Sequence, residues 1–385
     1  MVVAGSTQGS LLVEHRDSGL HSFVPVLRDR GESCRHCPVI ARPVRVTWRR
    51  EFGLEKVTII DVARVAGVSA QTVSRVINNR PGMNEATRLR VQAVIDKLGY
   101  EPNVVARGLV TNRTMTLGLI VPDVANAFFA EIVQGAEEVA WNQGYSILLC
   151  DTKEDLDREA AALRSLRERR VDGVIICSAR LPDERLWPML EQHRAAVVIN
   201  RRAPEGVASS VRIDYATGTQ RAVEHLLRSG RRKLAFLTGV THAYGGQERL
   251  KGLEAALREA AIVFPADQYV ACQPTIEGGY DAAQTVLRQH LDVDGLVCYN
   301  DLVAVGALQA CAERGLSVPD DVAVVGCDDI PLAALVTPSL TTFGLSKHAL
   351  GERSAEFLLA RIKGDGAEHE DLVLEPTLVV RSSAP

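Results

Sequence analysis

The sequence predicts a small all-α helix-turn-helix headpiece joined to an α/β body of two parallel-sheet subdomains. Three observations carry that expectation. Two short amphipathic segments meet at a tight turn within Thr58–Asn79. From Met115 onward, apolar β runs alternate with amphipathic helices, the pattern of parallel sheets covered on both faces. Charge is also uneven: the 385 residues sum to −4, yet residues 56–112 hold eight basic side chains against four acids and are +4, which leaves −8 for the rest. A basic module on an acidic body suits a protein that meets nucleic acid at one end only.

Residues 1–55 show no sustained periodicity and mix Gly, Ser, Pro and Arg, so disorder is expected there, with the natural start near Glu55–Val57. Cys34-Arg35-His36-Cys37 has the spacing of half a zinc site, but a structural zinc needs four ligands and no second pair follows within reach; no metal is expected.

The headpiece spans residues 56–101. Helices are predicted over 59–66 and 70–78, with Ala66, Gly67, Val68 and Ser69 making the bend. Thr58 and Asp61 fit a capping box, and Ser69 is a suitable N-cap. Ala70, Val73 and Ile77 fall on one face of the second helix and can pack on Val62, Ala63 and Ala66. Gln71, Ser74, Arg75 and Asn78 form the opposite stripe. Glutamine can pair bidentately with adenine and arginine with guanine, and a helix of this size enters the major groove. After Arg80-Pro81-Gly82, Asn84 caps a third helix carrying Leu89, Val91, Val94, Ile95 and Leu98, and Gly99 ends it. The next stretch, 102–113, supports two helical turns at most, too few to be stable alone.

In the body, residues 114–385, strands are expected near 116–121, 145–150, 172–177, 196–200, 209–214, 233–238, 268–272, 295–299, 322–326 and 340–344. Helices are expected over 128–143, 155–169, 216–229, 247–260, 278–290, 301–315 and 347–363. Sites in open α/β sheets lie beyond the carboxyl ends of the strands. Those loops hold Asp123, Asn126, Phe128, Phe129, Asn200 and Arg201, then Arg249, Asn300, Asp301, Asp328 and Asp329. Aromatic, amide, carboxylate and guanidinium groups converging on a cleft describe a sugar or polyol site, with rings on C–H faces and polar groups on hydroxyls.

No run of about eighteen apolar residues predicts a membrane span, and the basic-then-apolar layout of a secretory signal is missing; a cytoplasmic, nucleoid-associated protein is expected. Six of the eight cysteines (Cys150, Cys177, Cys272, Cys298, Cys311, Cys327) lie in or beside apolar patterns, where free Cys acts as a small hydrophobe. An enzyme would need a phosphate loop, a dinucleotide fingerprint or a nucleophile-base-oxyanion set, and none is legible. No catalytic residue and no cofactor is expected. A sugar-binding receptor without a transcriptional role, cytoplasmic or exported, would explain the body alone and leave the headpiece unused.

The segments VTIIDVARVAGVSAQTVSRVINN, LGYEPNVVARGL, LGLIVPDVANAFFAEIVQGAEE, NDLVAVGAL and VAVVGCDDIPLAALVTPSLTT together resemble the lactose-repressor (LacI/GalR) family of bacterial transcription regulators, from about Val57 to Val380. The resemblance implies a homodimer, with headpiece, hinge helix and a core like the periplasmic sugar-binding proteins. Its N-subdomain would cover about 114–213 and 345–372, and its C-subdomain about 214–344 and 373–385. By position, Ala70, Gln71 and Arg75 would face bases of double-stranded operator DNA, while Thr58, Thr72, Ser74 and Asn78 would lie near phosphates. Asn103, Ala106 and Leu109 belong to the implied hinge helix, which forms on the operator; Leu109 would wedge into the minor groove and kink the duplex. Arg249, Asn300 and Asp328 match effector-binding positions and Phe128 one that packs on the effector, with Asn126 and Asn200 completing the set. The implied effector is a sugar, sugar acid or related molecule. The sequence departs from the family at three points: Asn200 stands where some members have an acid, Gly108 lies inside the hinge helix, and Ala127 replaces a frequent proline. No leucine-rich tail precedes Pro385, which favours a dimer over a tetramer.

Overall fold

A computed structural model describes residues 57–78, 80–101, 113–239, 243–364 and 369–385. The Cys34–Cys37 cluster and the hinge residues Asn103, Ala106, Gly108 and Leu109 lie outside them. The chain divides into two compact units between Glu101 and Pro102.

In the first unit, α1 (Ile59–Ala66) opens on the expected capping box: the Thr58 hydroxyl accepts from the Asp61 amide, and the Asp61 carboxylate accepts from the Thr58 amide at 3.1 Å. Gly67 ends it at φ +66°, a left-handed conformation in which a Cβ is strained. Ser69 then caps α2 (Ala70–Ile77) through the Thr72 amide at 3.1 Å, and α3 (Glu85–Leu98) runs from the Asn84 cap to Gly99. Val62, Ala63, Ala66, Val73, Val76 and Val91 are the buried centre, with Ala70 and Ile77 only partly covered. Of the apolar residues that the third helix carries, Leu89 is 63 % exposed. Val91, Val94, Ile95 and Leu98 follow helical spacing on one face, and Leu89, two positions before Val91, falls about 200° round the helix from it.

The second unit contains a six-stranded parallel sheet, a four-stranded parallel sheet and one antiparallel pair. The larger sheet, in order β11-β5-β4-β3-β1-β2, is made of β1 (Thr116–Val121), β2 (Ser146–Asp151), β3 (Gly173–Cys177), β4 (Ala196–Ile199), β5 (Ser209–Ile213) and β11 (Asp371–Leu374). The smaller, in order β7-β6-β8-β9, uses β6 (Leu234–Thr238), β7 (Tyr269–Ala271), β8 (Gly295–Cys298) and β9 (Ala323–Val325). The antiparallel pair is β10 (Thr342–Gly344) with β12 (Thr377–Val379).

Helices α4 (Ala127–Asn142), α5 (Leu156–Glu168), α6 (Asp183–Leu190) and α12 (Lys347–Lys363) belong with the larger sheet. Helices α7 (Tyr215–Arg228), α8 (Tyr244–Glu259), α9 (Ile276–Gln289) and α10 (Asp301–Glu313) belong with the smaller. A short α11 (Pro331–Leu335) follows β9. Both faces of each sheet are covered, and the most central strands of the larger one, β3 and β4, are apolar and buried throughout. Each fully buried Ile or Val there contributes roughly 1.5–3 kcal/mol.

The ten expected strands and seven body helices are all present within a few residues, and the structure adds β11, β12, α6 and α11. These extra elements are short, and α6 contains Pro188, so neither periodicity nor propensity marks them.

Candidate functional site

Two groups of polar side chains need explanation, one in each unit. On α2 and its C-cap, Gln71, Arg75 and Asn78 are exposed on the side away from the buried Val73 and Val76, and Thr72 and Ser74 are half-buried. Ala70 is half-buried at the start of the helix. Arg75 donates to the Pro81 carbonyl at 3.2 Å, which extends its guanidinium across the following turn. Asn78 donates to the Ser74 carbonyl at 2.8 Å, and the Thr72 hydroxyl meets that of Ser69 at 2.9 Å. Exposed amide and guanidinium groups along one helical stripe can hydrogen-bond to an external partner without any rearrangement of the core.

In the second unit, Asn126, Phe128, Asn200, Arg249, Asn300 and Asp328, far apart in sequence, line one cleft. It encloses about 680 Å³ including its open mouth. Every wall is built from residues that directly follow a parallel strand or open the next helix, where backbone groups are not committed to the sheet. Asn126 caps α4 through the Phe128 amide at 3.0 Å, and Asn300 caps α10 through the Val303 amide at 2.9 Å. Phe128 packs edge to face on Phe129. The Asn200 amide donates to the Tyr215 hydroxyl at 3.1 Å and to the Ser178 hydroxyl at 3.3 Å.

Arg249 is the centre of this arrangement. It is 4 % exposed, with its guanidinium carbon 3.6 Å from the Tyr215 ring centroid and 4.4 Å from that of Tyr299. Two aromatic faces therefore take the place of water around a buried cation. Its edge donates to the Gly245 carbonyl at 2.9 Å and the Cys327 sulfur at 3.3 Å, and lies 3.6 Å from the Asp328 carboxylate. Asp328, 7 % exposed, has its pKa raised to about 6 by burial, with Arg249 opposing the rise. Burial also holds the Tyr215 phenol well above its usual range. Lys347 donates to the carbonyls of Asp328 and Asp329 at 3.2 and 2.6 Å and so fixes their loop. Ser178, Asn200 and Asp328 all adopt positive φ (47°, 56° and 111°), strain of the kind that clusters where side chains must be aimed.

A second cation crosses the opposite wall: Arg180 pairs with Glu154, its Nη2 2.9 Å from Oε1, and donates to the Ser178 carbonyl at 2.7 Å. Beneath it, buried Glu159 accepts the Arg180 and Leu181 amides at 2.8 and 2.9 Å.

Of the other loop residues singled out in the sequence, Asp123 and Phe129 also line the cleft. Three turn away from it. Asp301 is fully buried and accepts from the Ile330 amide at 2.8 Å and the Thr342 hydroxyl at 2.6 Å. Asp329 pairs with Arg381 at 2.8 Å, and Arg201 binds the carbonyls of Ala179 and Leu181. Sequence reasoning missed Tyr215, Tyr299, Arg180 and Glu154. The first two stand one or two residues beyond β5 and β8, so the rule that selects Asn300 selects them too.

Comparison with known proteins matches both units. Residues 58–103 match the family described as bacterial regulatory proteins, lacI family, and residues 114–380 that described as periplasmic binding proteins and sugar binding domain of LacI family. The chain is 36 % identical over 327 residues to the HTH-type transcriptional regulator RegA of Clostridium saccharobutylicum, covering 85 % of this chain and 98 % of RegA. It is 35 % identical to the ribose operon repressor of Escherichia coli strain K12, covering 85 % of this chain and 99 % of that one. Among solved structures, the lac repressor dimer bound to operator and the anti-inducer ONPF aligns with a TM-score of 0.77 and 28 % identity, covering 86 % of this chain and 99 % of that one.

Proposed function

Since the chain belongs to the LacI family, a DNA-binding transcriptional regulator with a ligand-binding core, we propose that it is a repressor whose hold on a two-fold operator is set by a small, neutral, polyhydroxylated effector in the cleft. The observation that carries the effector reading is the pairing of charge inside the cleft. Arg249 faces Asp328 and Arg180 faces Glu154, so neither cation is left over for a phosphate. One face each of Tyr215 and Tyr299 is covered by Arg249, which leaves Phe128 and Tyr244 as further aromatic surface for the C–H face of a sugar ring.

In this reading Ala70, Gln71 and Arg75 meet base edges, and Thr58, Thr72, Ser74 and Asn78 meet phosphates. Asn103, Ala106 and Leu109 act in the hinge. Asn126, Phe128, Asn200, Arg249, Asn300 and Asp328 hold the effector. The regulator works as a homodimer, because a two-fold operator is read by two copies of one helix. Effector binding changes how the two sheet lobes of the core stand to each other, and thereby the spacing of the two hinges. The coupling is reciprocal, so an effector that releases DNA binds less tightly to the DNA-bound form.

We read the chain as a non-enzyme acting in the cytoplasm. The Ser178 hydroxyl in the cleft is engaged by the Asn200 amide rather than by a base. No described helix is long and apolar enough to cross a membrane.

A thermal-shift screen against sugars, sugar acids, sugar phosphates and nucleobases tests the proposal, since a ligand of the native state raises Tm by mass action. A neutral sugar is expected to raise Tm in the wild type and not in Asp328→Ala, and to change operator affinity only in the former. A sugar phosphate as the tightest ligand, or an unchanged response in Asp328→Ala, would overturn the assignment.

A further inference from the structure

The crossing of α4 and α12 carries a set of side chains that the cleft does not use. Gly135 and Gly351 bring the two backbones into contact there. A Cβ on Gly135 would fall 2.0 Å from the His348 carbonyl oxygen, and one on Gly351 2.0 Å from that of Ile132. The separation of the helices is therefore set by main chain rather than by adjustable side chains. On the rim of this contact stand Glu138 from α4, and His348 and Glu352 from α12. His348 and Glu352 are one turn apart and share a face. The imidazole Nε2 lies 3.3 Å from Glu138 Oε2, and Nδ1 lies 3.6 Å from Glu352 Oε1. One donor atom from each residue can be chosen such that all three lie within 4.8 Å of one another.

We infer that Glu138, His348 and Glu352 bind a divalent transition-metal ion of the zinc type at the α4–α12 crossing. Imidazole nitrogen and carboxylate oxygen reach zinc at about 2.0–2.2 Å, so donors around one tetrahedral ion sit roughly 3.3–3.5 Å apart. Rotation about side-chain bonds closes the remaining gap, because the backbone positions are already held by the glycine contact. One imidazole nitrogen goes to the ion, and the ion pair at the other is given up. The nitrogen donor selects against magnesium and calcium, which prefer all-oxygen shells. With side chains 39–62 % exposed, the ion has an entry path and water completes its shell.

The position also matters for the cleft. Lys347, adjacent to His348, holds the carbonyls of Asp328 and Asp329 and lies 3.6 Å from Glu131 of α4. An ion bridging α4 to the first turn of α12 thus braces the helix start that fixes the Asp328 loop. The competing account is a pair of exposed ion pairs around His348, worth at most about 1 kcal/mol each and indifferent to metal.

The test uses the full chain with Cys34→Ser and Cys37→Ser, which removes the N-terminal thiols as competing ligands. Calorimetric titration at pH 8 with zinc chloride is expected to give one ion per chain, and magnesium chloride no binding. Cobalt(II) is expected to show d–d absorption without a thiolate charge-transfer band. His348→Gln and Glu138→Gln, both at solvent-accessible positions, are each expected to weaken zinc binding by at least the roughly 10–100-fold that loss of a mere supporting group causes. No zinc binding, equal binding of magnesium, a thiolate band, or undiminished affinity in both variants would each overturn the site.

Discussion

Gln71 and Arg75 stand in solvent, whereas Arg249 and Asp328 are almost dry. The energetics of the two pairs are opposite. The exposed Gln71 and Arg75 side chains add nothing to the buried headpiece core, so their substitution is expected to change affinity for an external partner and not folding. In the cleft, desolvation has already occurred during folding, and it is offset by two tyrosine faces and by ion pairing. Changes there are expected in stability as well as in ligand response.

The largest effect is expected for Arg249→Ala, which leaves a carboxylate buried without its cation and a gap between two rings. It should destabilise the core by about 3–5 kcal/mol in denaturant unfolding; a loss below about 1 kcal/mol would show that the site is wetter than its burial implies.

Asp328→Asn comes next. With a folded pKa of about 6, above the usual 3.8, the folded protein keeps a proton that the unfolded chain sheds between pH 4 and 6. Stability therefore falls as pH rises through that window and levels off above it. Asparagine cannot titrate, so between pH 4 and pH 7 the wild type should lose about 2 kcal/mol relative to the variant. Parallel stability curves across that range would remove the desolvation argument.

A smaller effect is expected in the headpiece. Arg75→Ala should weaken binding to the specific operator by about 1–3 kcal/mol and leave random-sequence DNA nearly unaffected. Equal losses on both DNAs would mean that Arg75 meets phosphate alone. The smallest is Ser69→Ala, which removes the cap of α2 and should cost about 1 kcal/mol of headpiece stability in thermal unfolding. Specific and non-specific DNA binding should then fall together, because the helix is loosened as a whole.

Much of the architecture was legible because its signals are local. A capping box, a helix-ending glycine or an apolar strand run is decided by neighbours within one or two turns, and Thr58, Ser69, Asn84 and Gly99 sit where the sequence predicts. Leu89 stays exposed for the same local reason, being off the apolar face of α3. In the cleft, the six residues expected there do converge, since the rule that strand ends carry sites needs only the strand boundaries. That rule does not say which way a side chain turns. Asp301 and Asp328 both follow strands, yet one is consumed by Ile330 and Thr342 and the other faces Arg249.

The order of elements, the exposed polar stripe on α2 and the loops from which the cleft is built were readable from the residues alone, because helical and strand periodicity are short-range properties of the chain. Only the tertiary structure decided that Tyr215 and Tyr299 clasp Arg249 from two sides, that burial lifts the Asp328 pKa, and that Gly135 and Gly351 bring Glu138 against His348. Each of these depends on distances between residues far apart in the chain, and only the packing of whole elements sets such distances.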